Sequence, residues 1–303
     1  MALVLFQRTV TMLILMGVGL LATKVGMIDE DFTKRLGKVL LTIITPCLSF
    51  HGLVSPPDGA TPADLARALV LSALLIVITV VAGFAIYGRR RPIDCFAATF
   101  FNCGFIGVPL VTSVFGTEAM FYVSGLIALF NVFMFTYGIW LLTGDPRHVS
   151  LRSVATNPVV LAAVLGVVVF MLGIPMPAVL DDAVEILADC NTGLAMLILG
   201  SYLARLDLRS ALGDWTVMPP VLLRLVAIPL ASIGVMRLLG WEPDVLTLSV
   251  LIGAIGPVGT NTALFAEQYG TDLDRSVSVV CISTVLSVVT VPLVFQAALM
   301  VLG

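Results

Sequence analysis

Long stretches without a charged side chain constrain the fold of this chain more than any other feature of its sequence. Nine stretches of 15 to 28 residues contain no Asp, Glu, Lys or Arg. A helix needs about 20 mostly apolar residues to cross the hydrocarbon core of a bilayer. Hydrophobic residues make up 59% of the chain and charged residues 12%, too few to give a water-soluble fold its polar surface. These stretches predict an all-α membrane protein.

The charge-free stretches resolve into ten predicted transmembrane helices once flanking apolar residues are added. The first is interpreted as a membrane helix rather than a signal peptide. No basic segment precedes it, and Lys24 follows it in place of a small-residue cleavage site. The predicted spans are 3–23, 34–54, 66–87, 95–116, 119–142, 157–174, 180–204, 216–238, 245–267 and 275–301.

The basic residues of the loops fall very unequally on the two sides of the membrane. Twelve lie on one side and three on the other. Because loops rich in Lys and Arg stay in the cytoplasm, this asymmetry predicts that both termini face outside. The twelve are Lys24, Lys34, Arg35, Lys38, Arg89, Arg90, Arg91, Arg147, Arg152, Arg205, Arg209 and Arg275, and the three are Arg8, Arg67 and Arg237.

Two related tetrapeptides divide the chain into halves. Phe-Gly-Thr-Glu occupies 115–118 and Tyr-Gly-Thr-Asp occupies 269–272, an offset of 154 residues. Each half contains five predicted spans, and an odd number makes the second half enter the membrane upside down. Inverted repeats of this kind are the architecture of many secondary transporters. We predict a first five-helix repeat at 1–142, a cytoplasmic linker at 143–156 and a second, inverted five-helix repeat at 157–303.

The fourth and ninth spans, which correspond in the two halves, are each interrupted by Gly and Pro near the middle. Pro removes a backbone donor and clashes with the preceding turn, and Gly lowers the cost of non-helical dihedrals. Unwound backbone at membrane depth persists only where it is buried in protein or lines a watery cavity. Paired breaks therefore predict a substrate site, whereas two packed kinks without a ligand are the alternative. The candidate binding residues are Asn102, Gly104, Gly107, Pro109, Pro257, Thr260 and Asn261.

The direction of the chain predicts which helix ends meet at these breaks. The second half of the fourth span is predicted to begin near Gly107 and Pro109, and that of the ninth between Pro257 and Asn261. Two helix N-termini then meet at mid-depth. Such ends carry unpaired amide donors and a partial positive charge, and they attract anions such as carboxylates. A small organic anion is the predicted substrate.

Motifs in four of the predicted spans form a recognisable set. They are Thr45-Pro46-Cys47-Leu48-x-Phe50, Asn102-x-Gly104-Phe105-x-Gly107-x-Pro109-Leu110 with Phe115-Gly116, Leu199-Gly200-x-x-Leu203, and Pro257 and Asn261 with Ala266 and Tyr269-Gly270. This set resembles the signatures of the auxin efflux carrier family. The resemblance covers the whole chain and implies a scaffold domain, a transport domain, broken fourth and ninth helices that cross at the site, and elevator-type alternating access. It also implies a carboxylate substrate such as malonate or an auxin-like weak acid.

The sequence departs from the family pattern in two places. Gly193 stands where the seventh helix of the family often has a proline, which puts that bend in doubt. The long cytoplasmic loop of the plant auxin exporters is missing, since only 143–156 joins the halves. The missing loop favours a carrier of the bacterial inner membrane over plant-type auxin transport. A homodimer is a candidate assembly.

Two charged residues are predicted near mid-depth, Asp189 in the seventh span and Arg224 in the eighth. A charge at that depth is costly and normally faces the interior of the helix bundle. In one interpretation they form an ion pair that holds helices together. In the other, Arg224 balances an anionic substrate or Asp189 carries a coupling proton. His51 is either an interfacial histidine or a second candidate for proton coupling.

The sequence lacks the motifs of enzymes, metal sites and ATP-driven transporters. No His-Glu-x-x-His, Cys-x-x-Cys or Gly-x-Ser-x-Gly is present, and no P-loop, so neither an enzyme, a metal site, a cofactor nor direct use of ATP is expected. Nucleic-acid binding is excluded with the other soluble classes. An inverted repeat with interrupted helices is more typical of a secondary carrier than of a channel or a membrane receptor. Proton coupling or uniport is favoured over sodium coupling of the kind found in sodium symporters of bile acids, because no acidic residue stands beside Thr260, Asn261 and Thr262.

Overall fold

The computed structural model describes residues 1–145, 147, 151–205 and 214–303. Its described residues are almost entirely helical, and their β pairing is limited to one isolated bridge. The main helices are α1 (Ala2–Lys24), α2 (Glu30–Val54), α3 (Pro62–Tyr87), α4 (Pro92–Thr99), α5 (Cys103–Phe115), α6 (Thr117–Thr143), α7 (Pro158–Leu172), α8 (Ala178–Arg205), α9 (Trp215–Leu238), α10 (Val245–Ala254), α11 (Asn261–Tyr269) and α12 (Leu273–Leu302).

The all-helical membrane class predicted from the charge-free stretches is confirmed. Within the described residues, seven helices are long and apolar enough to cross a membrane, namely α1, α2, α3, α6, α8, α9 and α12. Three further apolar helices, α5, α7 and α10, are shorter than 18 residues. Helix length therefore supports an integral membrane protein, while ten crossings and an inverted repeat stay predictions.

The predicted linker is described only in part. Leu151–Ala155 forms a short helix before α7, and Asn157 caps α7 by accepting hydrogen bonds from the amides of Val159 and Val160. Pro146 and His148 lie outside the described residues, as does Arg209 between α8 and α9.

The helices pack in two groups, and each group combines helices from both halves of the chain. One group, called the four-helix group here, consists of α1, α2, α7 and α8, which make their most extensive contacts with one another. The other, called the crossover group, consists of α3 to α6 and α9 to α12. The groups meet where α2 and α7 face α6, where α8 faces α5, and where α1 faces α5 and α12.

Close backbone approach holds α1 against α8. A Cβ atom on Gly200 would lie 2.0 Å from the Met16 carbonyl oxygen, and one on Gly19 would lie 2.5 Å from that of Leu197. Only glycine permits such an approach, which membrane helices use because lipid supplies no hydrophobic drive for their association. The contact makes α1 an integral part of the four-helix group.

We expect Gly200→Ala to lower the thermal unfolding temperature of the purified protein. Its methyl group meets backbone atoms that have no freedom to move aside, and overpacking of this kind costs about 1–3 kcal/mol. Gly193→Ala on the same helix is the matched control, since no heavy atom lies within 4 Å of its added Cβ. Alanine there is preferred over glycine by about 1 kcal/mol in a helix interior. Equal unfolding temperatures for both variants would contradict the close packing.

Candidate functional site

Two short extended segments cross at the centre of the crossover group. One separates α4 from α5, and the other, residues 255–260, separates α10 from α11. Phe101 and Val258 form an antiparallel bridge. The Asn102 amide donates to the Pro257 carbonyl and the Gly259 amide donates to the Phe100 carbonyl, both at 2.9 Å. The segments therefore pair part of each other's backbone, and Ser283 of α12 accepts from the Val258 amide at 3.1 Å, as burial at membrane depth requires.

Glycines allow the two segments to lie this close. A Cβ atom on Gly259 would lie 3.1 Å from the Phe101 carbonyl oxygen, and one on Gly256 would lie 3.3 Å from that of Asn102. Gly107 faces Gly253 in α10, with 3.1 Å between its added Cβ and the Gly253 Cα. Gly104 has no heavy atom within 4 Å of an added Cβ, so it faces open space rather than packing.

The helices that follow the breaks begin side by side. Asn102 caps α5 by accepting a hydrogen bond from the Phe105 amide at 3.2 Å. Its Nδ2 donates to Oγ1 of Thr260, the residue that precedes α11, at 3.0 Å. Two helix starts, each with unpaired amides and a partial positive charge, are thus tied together by one side-chain hydrogen bond.

The predicted start of the second half-helix near Gly107 and Pro109 agrees with the regular α-helical part of α5, which begins at Val108. The helical run itself starts one turn earlier, at Cys103. The Asn102 cap and a π-helical turn over Cys103–Gly107 allow the helix to form before the proline, which then lies inside α5. The ninth-span boundary agrees, because α11 begins at Asn261 and Pro257 lies in the crossing segment.

The proline inside α5 explains a contact that sequence reasoning missed. In the π-helical turn the Val108 amide bonds to the Cys103 carbonyl, five residues back. The next amide in that register belongs to Pro109 and has no hydrogen, so the Gly104 carbonyl lacks a helical partner. Asn191 of α8 fills the gap by donating from Nδ2 at 3.0 Å. Thr45 of α2 in turn donates to Asn191 Oδ1 at 3.4 Å.

Asn191 therefore connects the four-helix group to the crossover. It is almost completely buried, with 1% of its surface exposed. Its position as the only Asn or Gln in the charge-free stretch 190–204 is the sequence signal that could have marked it, since such side chains hydrogen-bond between membrane helices.

A narrow cavity lies beside the crossing segments. Asn102, Gly104 and Asn261 line it from the crossover, Thr45 and Leu41 from α2, and α6 contributes Ile127, Phe130 and Asn131. Its interior has room for about one water molecule. The cavity is therefore too small to hold a carboxylate in this conformation.

Asn261 differs from Asn102 in its hydrogen bonding. Both side-chain groups of Asn102 have partners. The Asn261 side chain makes no hydrogen bond with any described residue, and its Oδ1 is buried without a partner. Buried polar groups are nearly always paired, so this side chain, whose Oδ1 can accept a hydrogen bond and whose Nδ2 can donate one, is available to a ligand in the cavity.

Arg224 is fully buried in α9, with 1% of its surface exposed. Its Nε donates to the Gly256 carbonyl at 3.2 Å and its Nη2 to the Ala254 carbonyl. Its guanidinium carbon lies 4.8 Å from the centre of the Phe101 ring, and Nη1 has no partner among the described residues. The arginine thus sits at the C-terminal end of α10, where carbonyl dipoles favour a cation.

Asp189 and Arg224 are not brought together. Asp189 is exposed on α8, and the contacts of Arg224 are two carbonyls and a ring. The ion pair considered from the sequence is absent from the described residues. His51 is instead paired with Asp181 of α8, with 3.3 Å between Nδ1 and Oδ1, so it links two helices within the four-helix group.

A wider cavity of about 690 Å³ opens between the two groups at the end of the molecule that carries Lys34 and Lys38. Leu41 lines both this cavity and the narrow one at the crossover. Lys34 contacts Glu267 of α11 across the gap at 3.2 Å, whereas Lys38 has no ion-pair partner among the described residues. One face of α2 therefore runs from this basic opening to the crossover.

Comparison with known proteins identifies the family of this chain. A family model described as membrane transport protein matches residues 4–295. The chain belongs to this family, that of the auxin efflux carriers. It is a membrane transporter and not an enzyme.

Individual relatives extend from archaea to plants. An uncharacterized transporter of Methanothermobacter thermautotrophicus is 27% identical, over 95% of this chain and 96% of its own. A proposed malonate transporter of Rhizobium meliloti is 25% identical over 84% of each chain. Auxin efflux carrier component 6 of Arabidopsis thaliana is 27% identical over 45% of this chain and 24% of its own.

Proposed function

We propose that this protein is a secondary transporter that carries a small organic anion, a carboxylate such as malonate, through the crossover site. The observation that carries the proposal is the pair of helix starts joined by the Asn102–Thr260 hydrogen bond, with the unpaired Asn261 amide beside them. Amide donors and converging helix N-termini favour a carboxylate. The buried charge of Arg224, which no described acid neutralises, favours an anion over a cation or a neutral solute.

The two helix groups support alternating access as the mechanism. The narrow cavity takes residues from both groups, so relative movement of the groups would open it and expose its contents. We propose that the four-helix group serves as scaffold, that the crossover group moves as an elevator, and that the two halves 1–142 and 157–303 are inverted repeats. The membrane is proposed to be a bacterial inner membrane, with the basic opening at Lys34 and Lys38 on the cytoplasmic side.

An auxin-like aromatic weak acid is the second candidate substrate. Phe101, Phe105 and Phe130 all line the narrow cavity, and aromatic rings pack well against one another. Malonate is preferred because the relative proposed to carry it matches most of this chain, whereas the plant relative matches less than half.

Counterflow in proteoliposomes tests the transport proposal. Vesicles preloaded with malonate should take up labelled malonate faster than empty vesicles, with saturation, and excess unlabelled malonate should compete. Indole-3-acetate in the same assay tests the aromatic candidate. Non-saturating flux without counterflow would favour a channel, and the absence of any anion flux, with binding only, would favour a receptor.

Imposed gradients test energy coupling in the same vesicles. We propose proton coupling or uniport over sodium coupling, with Asp189 as the candidate proton carrier. Uptake driven by a pH gradient should then lose that dependence in Asp189→Asn. Sodium-dependent uptake, or an Asp189→Asn variant with its full pH-gradient dependence, would overturn this assignment.

A further inference from the structure

An apolar groove runs along the outer surface of the crossover group, between α3 and α6. It has a volume of about 430 Å³ and is lined by Val80, Val81, Phe84, Ala85, Tyr137 and Trp140. The rings of Phe84 and Trp140 lie 6.2 Å apart and those of Tyr137 and Trp140 lie 5.9 Å apart. The groove is therefore a shallow aliphatic and aromatic depression on the outer face of the helix bundle.

The groove ends at a run of three arginines. Arg89 lies over the Trp140 ring at 5.3 Å and donates from Nη2 to the Gly144 carbonyl at 2.9 Å. Gly144 adopts the left-handed conformation, with φ +70°, and this turn brings its carbonyl to the arginine. Arg89 makes no other hydrogen bond with a described residue, so its remaining N–H groups are free to bind a ligand.

The neighbouring arginines add positive charge at the same end. Arg90 and Arg91 are exposed, and neither has an ion-pair partner among the described residues. Two described acids lie near this end along the chain: Asp145, which directly follows Gly144, and Asp94, which two hydrogen bonds from Arg275 engage. Three arginines therefore stand against fewer acids, and the end of the groove keeps an excess of positive charge.

We propose that this groove binds one anionic phospholipid, with an acyl chain along α3 and the phosphate at Arg89 and Arg90. The apolar lining suits a hydrocarbon chain, and basic pockets between membrane helices bind anionic headgroups. Arginine pairs with phosphate through several parallel N–H donors. Because the Trp140 ring and the Gly144 carbonyl already fix Arg89, little side-chain freedom is lost when a phosphate binds.

Native mass spectrometry of the delipidated protein tests this site. With equal phosphatidylglycerol and phosphatidylcholine, the wild type should retain one phosphatidylglycerol with at least a fivefold preference. The variants Arg89→Gln and Arg90→Gln should each reduce that preference. Arg237→Gln, which removes an exposed arginine at the end of α9, is the matched charge control and should leave it unchanged.

The variant Ala85→Trp tests the groove without removing an arginine, so the positive charges that set the orientation of this loop in the membrane are unchanged. Ala85→Trp fills the exposed groove and should abolish retention of phosphatidylglycerol with no loss of fold. Soluble glycerol phosphate should not raise the unfolding temperature, because it lacks the acyl chain. Unchanged lipid preference in both the arginine and Ala85→Trp variants, or full stabilisation by glycerol phosphate alone, would overturn the proposal.

Discussion

Replacing Arg224 with methionine should weaken malonate binding by about thirtyfold. A cation roughly 8 Å from a bound anion contributes about 2 kcal/mol at an effective dielectric constant near 20, and 1.4 kcal/mol is tenfold in affinity. Phe101, which Arg224 covers, lines the narrow cavity, so the charge lies close to the proposed site. The Ala254 and Gly256 carbonyls would also lose their donor, which should lower the unfolding temperature.

The variant Arg224→Lys distinguishes the effect of the positive charge from that of the hydrogen bonds to the two carbonyls. Arg224→Lys retains the cation but lacks the planar geometry that reaches two carbonyls, so it should lower the unfolding temperature and keep most of the malonate affinity. Arg237→Met on the same helix is the control, since that arginine is exposed. The measurements are malonate affinity in detergent and thermal unfolding of each variant. Wild-type affinity in Arg224→Met would remove Arg224 from the anion site.

Replacing Asn261 with aspartate should abolish malonate binding while the fold persists. The two side chains have nearly the same shape, but the aspartate places a negative charge where the anion is proposed to bind. Two like charges about 4 Å apart repel by about 4 kcal/mol at an effective dielectric constant of 20, close to a thousandfold in affinity. The affinity for malonate and the transport rate are the quantities to measure.

Alanine variants at the two asparagines should differ from each other. Asn261→Ala should lower malonate affinity two- to tenfold, the effect of a neutral hydrogen bond worth about 0.5–1.5 kcal/mol, with little change in unfolding temperature. Asn102→Ala should lower the unfolding temperature, because it removes both a helix cap and the bond to Thr260. Wild-type binding and transport in both Asn261→Asp and Asn261→Ala would move the site elsewhere.

The candidate site was partly readable from sequence because its main signals are local. Pro109 and Pro257 with their neighbouring glycines mark the two breaks, since these residues restrict or free the backbone wherever they occur. Asn102 and Asn261 were found because they stand directly beside those breaks. The π-helical turn that starts α5 at Cys103 was not predicted, because it leaves the Gly104 carbonyl to a tertiary contact, the hydrogen bond from Asn191.

The sequence by itself determined that this chain is a helical membrane protein with two interrupted helices, because charge-free length and proline or glycine interruptions act on each segment independently of the rest. Only the tertiary structure decided what each buried polar group contacts. Arg224 bonds to carbonyls about 30 residues away along the chain, and Asn191 bonds to one 87 residues away. Burial makes an unpaired polar group costly, so each buried polar group bonds to whichever partner lies next to it in the folded protein. These partners are far away in the sequence, and helical periodicity does not predict them.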